Sequence, residues 1–152
     1  MTKICLAVSP AEIESAYALR YDVFVTEQGV PAELERDSQD EGADHFIAYD
    51  DANPVGAGRL VVEPAGFEGA DPAHGPVGHL GRLAVRPQAR GARLGAALVA
   101  VVEERARARG LAVMALSSQT YAIPFYERLG YAAHGPEFDD AGLPHRWMRK
   151  SL

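Results

Sequence analysis

Cysteine is almost missing: Cys5 stands alone among 152 residues. No internal disulfide can staple this fold, and a lone thiol inside an early apolar run reads as buried and inert. The five histidines, His45, His74, His79, His134 and His145, form no i, i+4 pair and no ligand cluster, which excludes the usual metal patterns. Basic charge is also short. Fifteen Lys and Arg against 21 Asp and Glu leave a net charge of −6 and a pI near 5.3, the wrong sign for a nucleic-acid binder. Long apolar runs are absent as well. The first, Ile4 to Val8, ends after five residues at Ser9-Pro10, too short for a secretory signal or a membrane span, and no later run approaches about 18 residues. The expectation is a cytoplasmic protein with no membrane partner. The phosphate-binding patterns GxxxxGK[ST] and GxGxxG do not occur either.

What is present fits one domain spanning residues 1–152. An apolar fraction of 47% and a mean hydropathy of −0.13 are those of a soluble globular chain, and 152 residues suffice for one real core but not two. No repeat, low-complexity tract or linker interrupts it. Charge is unevenly spread: residues 1–51 hold twelve acids and three bases, residues 52–152 nine acids and twelve bases. The first part suits a cationic partner and the second an anionic one. The plainer reading of Glu33, Glu35, Asp37, Asp40, Glu41 and Asp44 is a solvated loop.

The stretch from Leu80 to Arg109 organises the rest. Leu80, Leu83, Ala84 and Val85 read as a buried strand stopped by Arg86-Pro87. Leu94, Leu98, Val101 and Val102 follow at i, i+4, i+7 and i+8, the stripe of a helix that keeps Glu103, Glu104, Arg107 and Arg109 on its wetter side and ends at Gly110. Between them Arg86, Arg90 and Arg93 surround Gly91 and Gly95, with no acid from Arg82 to Leu98. Glycines that admit a ligand, unpaired helical N–H groups and the positive end of the helix dipole together make an anion trap.

Around this unit the pattern predicts a first strand from Lys3 to Val8, then a helix opened by the capping box Ser9-Pro10-Ala11-Glu12 and ended at Gln28-Gly29-Val30-Pro31. A short helix at Ala32 to Arg36 follows. His45 to Tyr49 and Val55 to Glu63 read as an antiparallel hairpin, with Gly56 and Gly58 marking a close approach or a bulge. Residues Pro64 to Pro76 read as an exposed loop and Leu111 to Leu116 as a strand. Pro124 to Gly130 reads as a helix with Phe125 and Leu129 facing the core. Tyr131 to Ala133 and Arg146 to Lys150 would complete the sheet, with a turn-rich loop from Asp139 to His145 between them. Trp147 is assigned to the core. The coarse class is α+β with a mixed sheet.

RGARLGA at 90–96 resembles the Arg/Gln-x-x-Gly-x-Gly/Ala loop of the GNAT superfamily of acetyl-CoA-dependent N-acetyltransferases, with Arg93 where that family usually has its central glycine. Ala122-Ile123-Pro124-Phe125-Tyr126-Glu127-Arg128-Leu129-Gly130-Tyr131 is similar to a second GNAT motif. Val23 to Pro31 and Asp140 to His145 resemble the small bacterial YjcF/ElaA-like branch. The resemblance implies a mixed, mostly antiparallel sheet of six or seven strands with about four helices, splayed between the strands at 80–85 and 111–116. It also implies acetyl-CoA as co-substrate, its pantetheine against Leu83, Ala84, Val85 and Ser117. Its pyrophosphate would rest on Arg90, Gly91, Ala92, Arg93, Leu94, Gly95 and Ala96. Tyr126 matches the family's general acid; its simpler reading is a core tyrosine.

The acceptor would be an amine of a small molecule or protein, with Phe24, Glu27, Gln28, Arg82, Gln119 and His145 as candidate contacts. Arg82 suits a substrate carboxylate equally with an ion pair to the acidic first part. The central-strand glutamate of some GNAT enzymes is missing at Gly81. The base is left among Glu27, His145, His79 and a water held by Ser117, Ser118 and Gln119. Two other readings stand beside the enzyme: a non-catalytic acetyl-CoA-binding module, and an acyl-homoserine-lactone synthase suggested by Leu19 to Val25. The last strand, taken as an edge, could pair across a homodimer.

Overall fold

In the computed structural model, residues 1–70 and 75–152 are described, so His74 and the middle of the 64–76 loop lie outside the described residues. Among the described residues, seven strands form one sheet: β1 (Thr2–Ala7), β2 (Asp44–Asp50), β3 (Asn53–Glu63), β4 (Val77–Val85), β5 (Val113–Gln119), β6 (Ala132–Asp140) and β7 (Leu143–Ser151), in the order β1-β2-β3-β4-β5-β7-β6. All neighbours are antiparallel except β4 and β5. The helices are α1 (Pro10–Arg20), α2 (Ala32–Glu35), α3 (Leu94–Ala108) and α4 (Ile123–Arg128). The expected class, strand number and helix number are therefore what the chain adopts.

Strand alternation sorts the apolar residues onto two faces. Phe46, Ala48, Leu60 and Leu80 pack with Leu98, Val99 and Val102 of α3. Ile47, Ala57 and Ala84 face the other way, onto Ala16 and Leu19 of α1. Gly56 is what lets α3 lie this close: a Cβ there would stand 2.9 Å from Leu98 Cδ1. The capping box forms as expected, Glu12 N–H donating to Ser9 Oγ and Ser9 N–H to Glu12 Oε1, both at 3.1 Å.

Several expectations fail for identifiable reasons. The first helix is not uniform; it widens into a π-helical turn over Tyr21–Glu27, which re-aims Phe24 and Glu27. The acidic segment is a solvated loop only in part: Glu33 and Glu41 are exposed, but Arg20, itself 1% exposed, reaches in and buries Glu35 and Asp40. Glu103 is buried too, accepting from the Tyr131 hydroxyl at 2.7 Å and from Lys150 Nζ at 3.1 Å. The loop after β3 is only partly exposed: Gly69 and Ala70 are buried and Phe67 meets the Trp147 ring at 5.3 Å. The expected loop between Asp139 and His145 is a tight hairpin, with Ala141 and Gly142 both at positive φ, as a two-residue primed turn requires. β5 starts two residues later than expected and runs to Gln119. The last strand is interior; the sheet edges are β1 and β6. Cys5 is half-buried rather than buried.

Candidate active site

β4 and β5 pair at only two positions, Gly78 with Met114 and His79 with Ala115, and then separate. The cause is local. Between Ala57↔Ala84 and Arg59↔Gly81 the register slips by one residue, and Arg82 takes φ 48°, a bulge that bends β4 away from its parallel neighbour. The Arg86 amide donates to Val55 of β3 at 2.9 Å. By strand alternation the amides of Val85 and Leu83 then point the other way, into the open seam.

Immediately beyond lies the start of α3. Gly91 at φ 87° and Arg93 at φ 61° turn the chain, and the first intrahelical bond at the joint is Ala97 N–H to the Arg93 carbonyl at 3.1 Å. The amides of Leu94, Gly95 and Ala96 are consequently without helical acceptors. Two arginines of this loop are already held by the π-helical turn. Arg90 pairs bidentately with Glu27, both contacts at 2.7 Å, and its Nε donates to the Val85 carbonyl at 2.9 Å. Arg86 pairs with Asp22 at 2.7 Å.

On the face of the sheet away from α3 the seam opens into a cleft of about 660 Å³. Phe24, Gln28, Arg82, Leu83, Ser117, Gln119, Tyr126 and His145 all line it. Glu27 does not; its carboxylate is turned to Arg90. Tyr126 packs edge-on to Phe125 and Tyr131, at 4.9 and 6.0 Å, and burial pushes its phenol well above the usual range. It is a protonated hydroxyl at neutral pH. Gln119 Nε2 donates to Gln28 Oε1 at 3.3 Å, joining β5 to the segment after the π-helical turn. His145 Nδ1 lies 2.8 Å from the Leu143 carbonyl, and its ring stacks on Phe138 at 5.9 Å.

Sequence reasoning missed much of the cleft's floor. Arg59, 3% exposed, donates to Asp37 at 2.8 Å and to Asp40 at 3.1 Å, and its Nε has no hydrogen-bond partner among the described residues. Arg82 spans Glu35 Oε2 and Asp37 Oδ2, both at 3.1 Å, so of its two readings the ion pair is what forms. Trp147 is not core; it lines the cleft with Phe138. Only one hint of Arg59 was legible: a lone arginine in an otherwise apolar strand. Glu35 and Asp40 gave none, since their partners are 15 and 20 residues away.

Residues 7–152 match the acetyltransferase (GNAT) domain model. The chain belongs to the GNAT acetyltransferase family. YjcF of Bacillus subtilis (strain 168), described as an uncharacterised N-acetyltransferase, is 35% identical over 97% of this chain and 99% of its own. An N-acetyltransferase structure from Lactobacillus plantarum superposes with TM-score 0.83 at 32% identity, covering 99% of this chain and 98% of that one. Escherichia coli ElaA, at 21% identity and TM-score 0.82 over 99% of each chain, shares the fold. This GNAT domain is accordingly an acyltransferase.

Acetyl-CoA is the family's co-substrate, and the residues present fit it. A seam with inward amides accepts the amide-bearing pantetheine arm, and the unpaired amides of Leu94, Gly95 and Ala96 suit a pyrophosphate. Among GNAT loops, this one carries a cost. Arg93 occupies the glycine position in left-handed geometry, which for a side chain costs about 1–2 kcal/mol. Its exposed guanidinium adds positive charge at the same place.

Proposed function

We propose that this domain moves an acetyl group from acetyl-CoA directly to a primary amine, of a small molecule or a protein, within a ternary complex. The observation that carries the reading is the seam between β4 and β5 opening onto a cleft beside the Tyr126 hydroxyl. Leu83 and Val85 hold the pantetheine arm, while residues 90–96 hold the pyrophosphate. Tyr126 protonates the leaving thiolate. A phenol with an ordinary pKa near 10 is a weaker acid than a thiol near 8.5, so the transfer runs about 2 kcal/mol uphill, more with the phenol buried, and is drawn forward by collapse of the tetrahedral intermediate to the amide.

The acceptor arrives as a cation. Among the described residues, Glu35, Asp37, Glu68, Asp139 and Asp140 line the cleft against Arg59 and Arg82. An alkylammonium is attracted to such a surface, and Phe24, Phe138 and Trp147 offer its hydrocarbon part an apolar wall. Gln28, Gln119 and His145 supply the polar contacts.

Calorimetric titration of acetyl-CoA into wild-type, Arg90→Ala and Tyr126→Phe protein tests this, followed by thiol release with a panel of amines. Expected are micromolar binding, weaker binding for Arg90→Ala, and for Tyr126→Phe intact binding with turnover lowered about 10²–10⁴-fold. Undiminished turnover in Tyr126→Phe removes the acid role. Binding without thiol release for any amine favours a non-catalytic acetyl-CoA-binding module.

A further inference from the structure

An alkylammonium with a pKa near 10.4 is neutral in only about one molecule in 10³ at pH 7, so a proton must leave before the nitrogen can attack. The cleft and the segments around it offer several carboxylates, and most are disarmed. Glu35 and Asp37 are clamped by Arg82 and Arg59. Asp40 is held far below the ordinary carboxylate range: burial would raise it, but the hydrogen bonds from Arg20 and the Asp37 amide prevail. Glu27 faces Arg90, which lowers it. Glu68, Asp139 and Asp140 lie exposed at the rim. Gly81, opposite Arg59, carries no side chain at all; a Cβ there would sit 3.8 Å from Arg59 Nη2.

One group is arranged differently. His79 sits on β4 two residues before Gly81, hence on the same face and about 7 Å along the strand. Its Nδ1 lies 3.4 Å from Glu63 Oε1, a carboxylate 8% exposed and fixed from the other side by Gln39 Nε2 at 2.7 Å. Phe67 and Trp147 hold the ring at 5.1 and 5.8 Å. With Nδ1–H directed to Glu63, Nε2 is the basic nitrogen, and His79 lines the cleft. His145 lacks this arrangement, since its Nδ1 faces a backbone carbonyl.

We propose that His79, oriented by Glu63, is the general base, taking the acceptor's ammonium proton on Nε2 directly or through one water; this rests on the transferase reading above. The proton leaves nitrogen for Nε2, and the freed lone pair forms the N–C bond at the thioester carbonyl. The C–S bond breaks, and the sulfur takes the Tyr126 hydroxyl proton. His79 afterwards returns a proton to the phenolate. The sum is ammonium plus acetyl-CoA giving amide, CoA thiol and one proton; the second proton released from nitrogen as the amide forms goes to solvent.

Among the described residues, the charges facing His79 are Glu63 and Arg59 from β3 and Arg82 from its own strand; burial lowers its pKa, Glu63 opposes that, and both arginines reinforce it. The ring is therefore neutral at pH 7. Activity should fall as pH drops through a pKa below the ordinary histidine value, and Glu63→Gln should move that limb lower still.

The probes are phenethylamine, which is protonated at pH 7, and O-benzylhydroxylamine, which is not. In His79→Gln we expect kcat/KM for phenethylamine to fall about 10²–10⁴-fold and the acid limb to vanish, while O-benzylhydroxylamine is acetylated nearly as before. Nitrogen-detected NMR of the wild-type ring should show the Nδ1–H tautomer, with the titration shifted downward in Glu63→Gln. Equal losses for both amines, a retained acid limb, or an Nε2–H tautomer would overturn the assignment. Wild-type protein that binds acetyl-CoA yet acetylates neither probe nor any other amine would instead bring down the transferase reading, and the base role with it.

Discussion

Replacing Arg20 with Met should cost about 3 kcal/mol of folding free energy. Arg20 is 1% exposed and makes five hydrogen bonds, to Glu35 Oε2 at 3.0 and 2.9 Å, to Asp40 at 2.7 and 3.1 Å and to the Glu35 carbonyl at 3.1 Å. Methionine fills a similar space, so the loss comes from two carboxylates left in a buried site. Removing one partner of a buried pair typically costs about 3–5 kcal/mol. The low end applies because Asp40 keeps Arg59 and the Asp37 amide, and Glu35 keeps Arg82. At about 2–4 °C per kcal/mol for a domain of this size, the melting temperature should drop by about 6–12 °C. The deficit should narrow in acid. Asp40's folded pKa is depressed, so its stabilisation is present above the unfolded value near 3.9 and is lost as pH falls through the folded one; the variant has less of it to lose. Urea unfolding at pH 7 and at about pH 3, below the unfolded carboxylate value, measures both effects. A loss under about 1 kcal/mol at pH 7 would mean that the network behaves as a surface ion pair and that its burial confers nothing.

Other variants probe the loop and the sheet. Glu27→Gln frees Arg90 from a half-exposed ion pair, so calorimetry should show acetyl-CoA binding about two- to threefold tighter. Arg93→Gly relieves left-handed strain of about 1–2 kcal/mol against about 0.5–1 kcal/mol of added chain entropy, so thermal melting should shift slightly upward. Gly56→Val places atoms against Leu98 Cδ1 and the Ala84 carbonyl, at 2.9 and 3.3 Å from the new Cβ, and should cost about 1–3 kcal/mol by denaturant titration.

Elements whose cause is local were legible in the sequence. The Ser9–Glu12 cap, the proline stop after Val85, the glycine after α3 and the strand glycine at 56 each act within a few residues, and each stands where the pattern put it. The splay was legible only through resemblance, because its physical origin is a bulge at Arg82, a residue with no turn propensity. The polar floor was hidden for a related reason. Arg20, Glu35, Asp40, Arg59 and Arg82 come from four separate segments, and an acid-rich stretch looks solvated until a distant arginine enters it. The Asp139–His145 stretch misled through composition: Asp, Gly and Pro read as loop, yet only Ala141 and Gly142 form the turn, and Asp139, Asp140 and Pro144 lie in the paired strands.

The seam between β4 and β5 leaves the sheet one strand short by design of its own geometry. Amides at Leu83 and Val85 face a gap that no protein strand fills, so the free protein must spend water on them. A ligand whose backbone carries amides can lie there as an eighth, removable strand, ordered by the same ladder logic as its neighbours. Binding then becomes a continuation of folding. Hydrogen exchange at those two amides should slow from loop-like to strand-like when acetyl-CoA is added, and the domain's thermal stability should climb with the logarithm of its concentration.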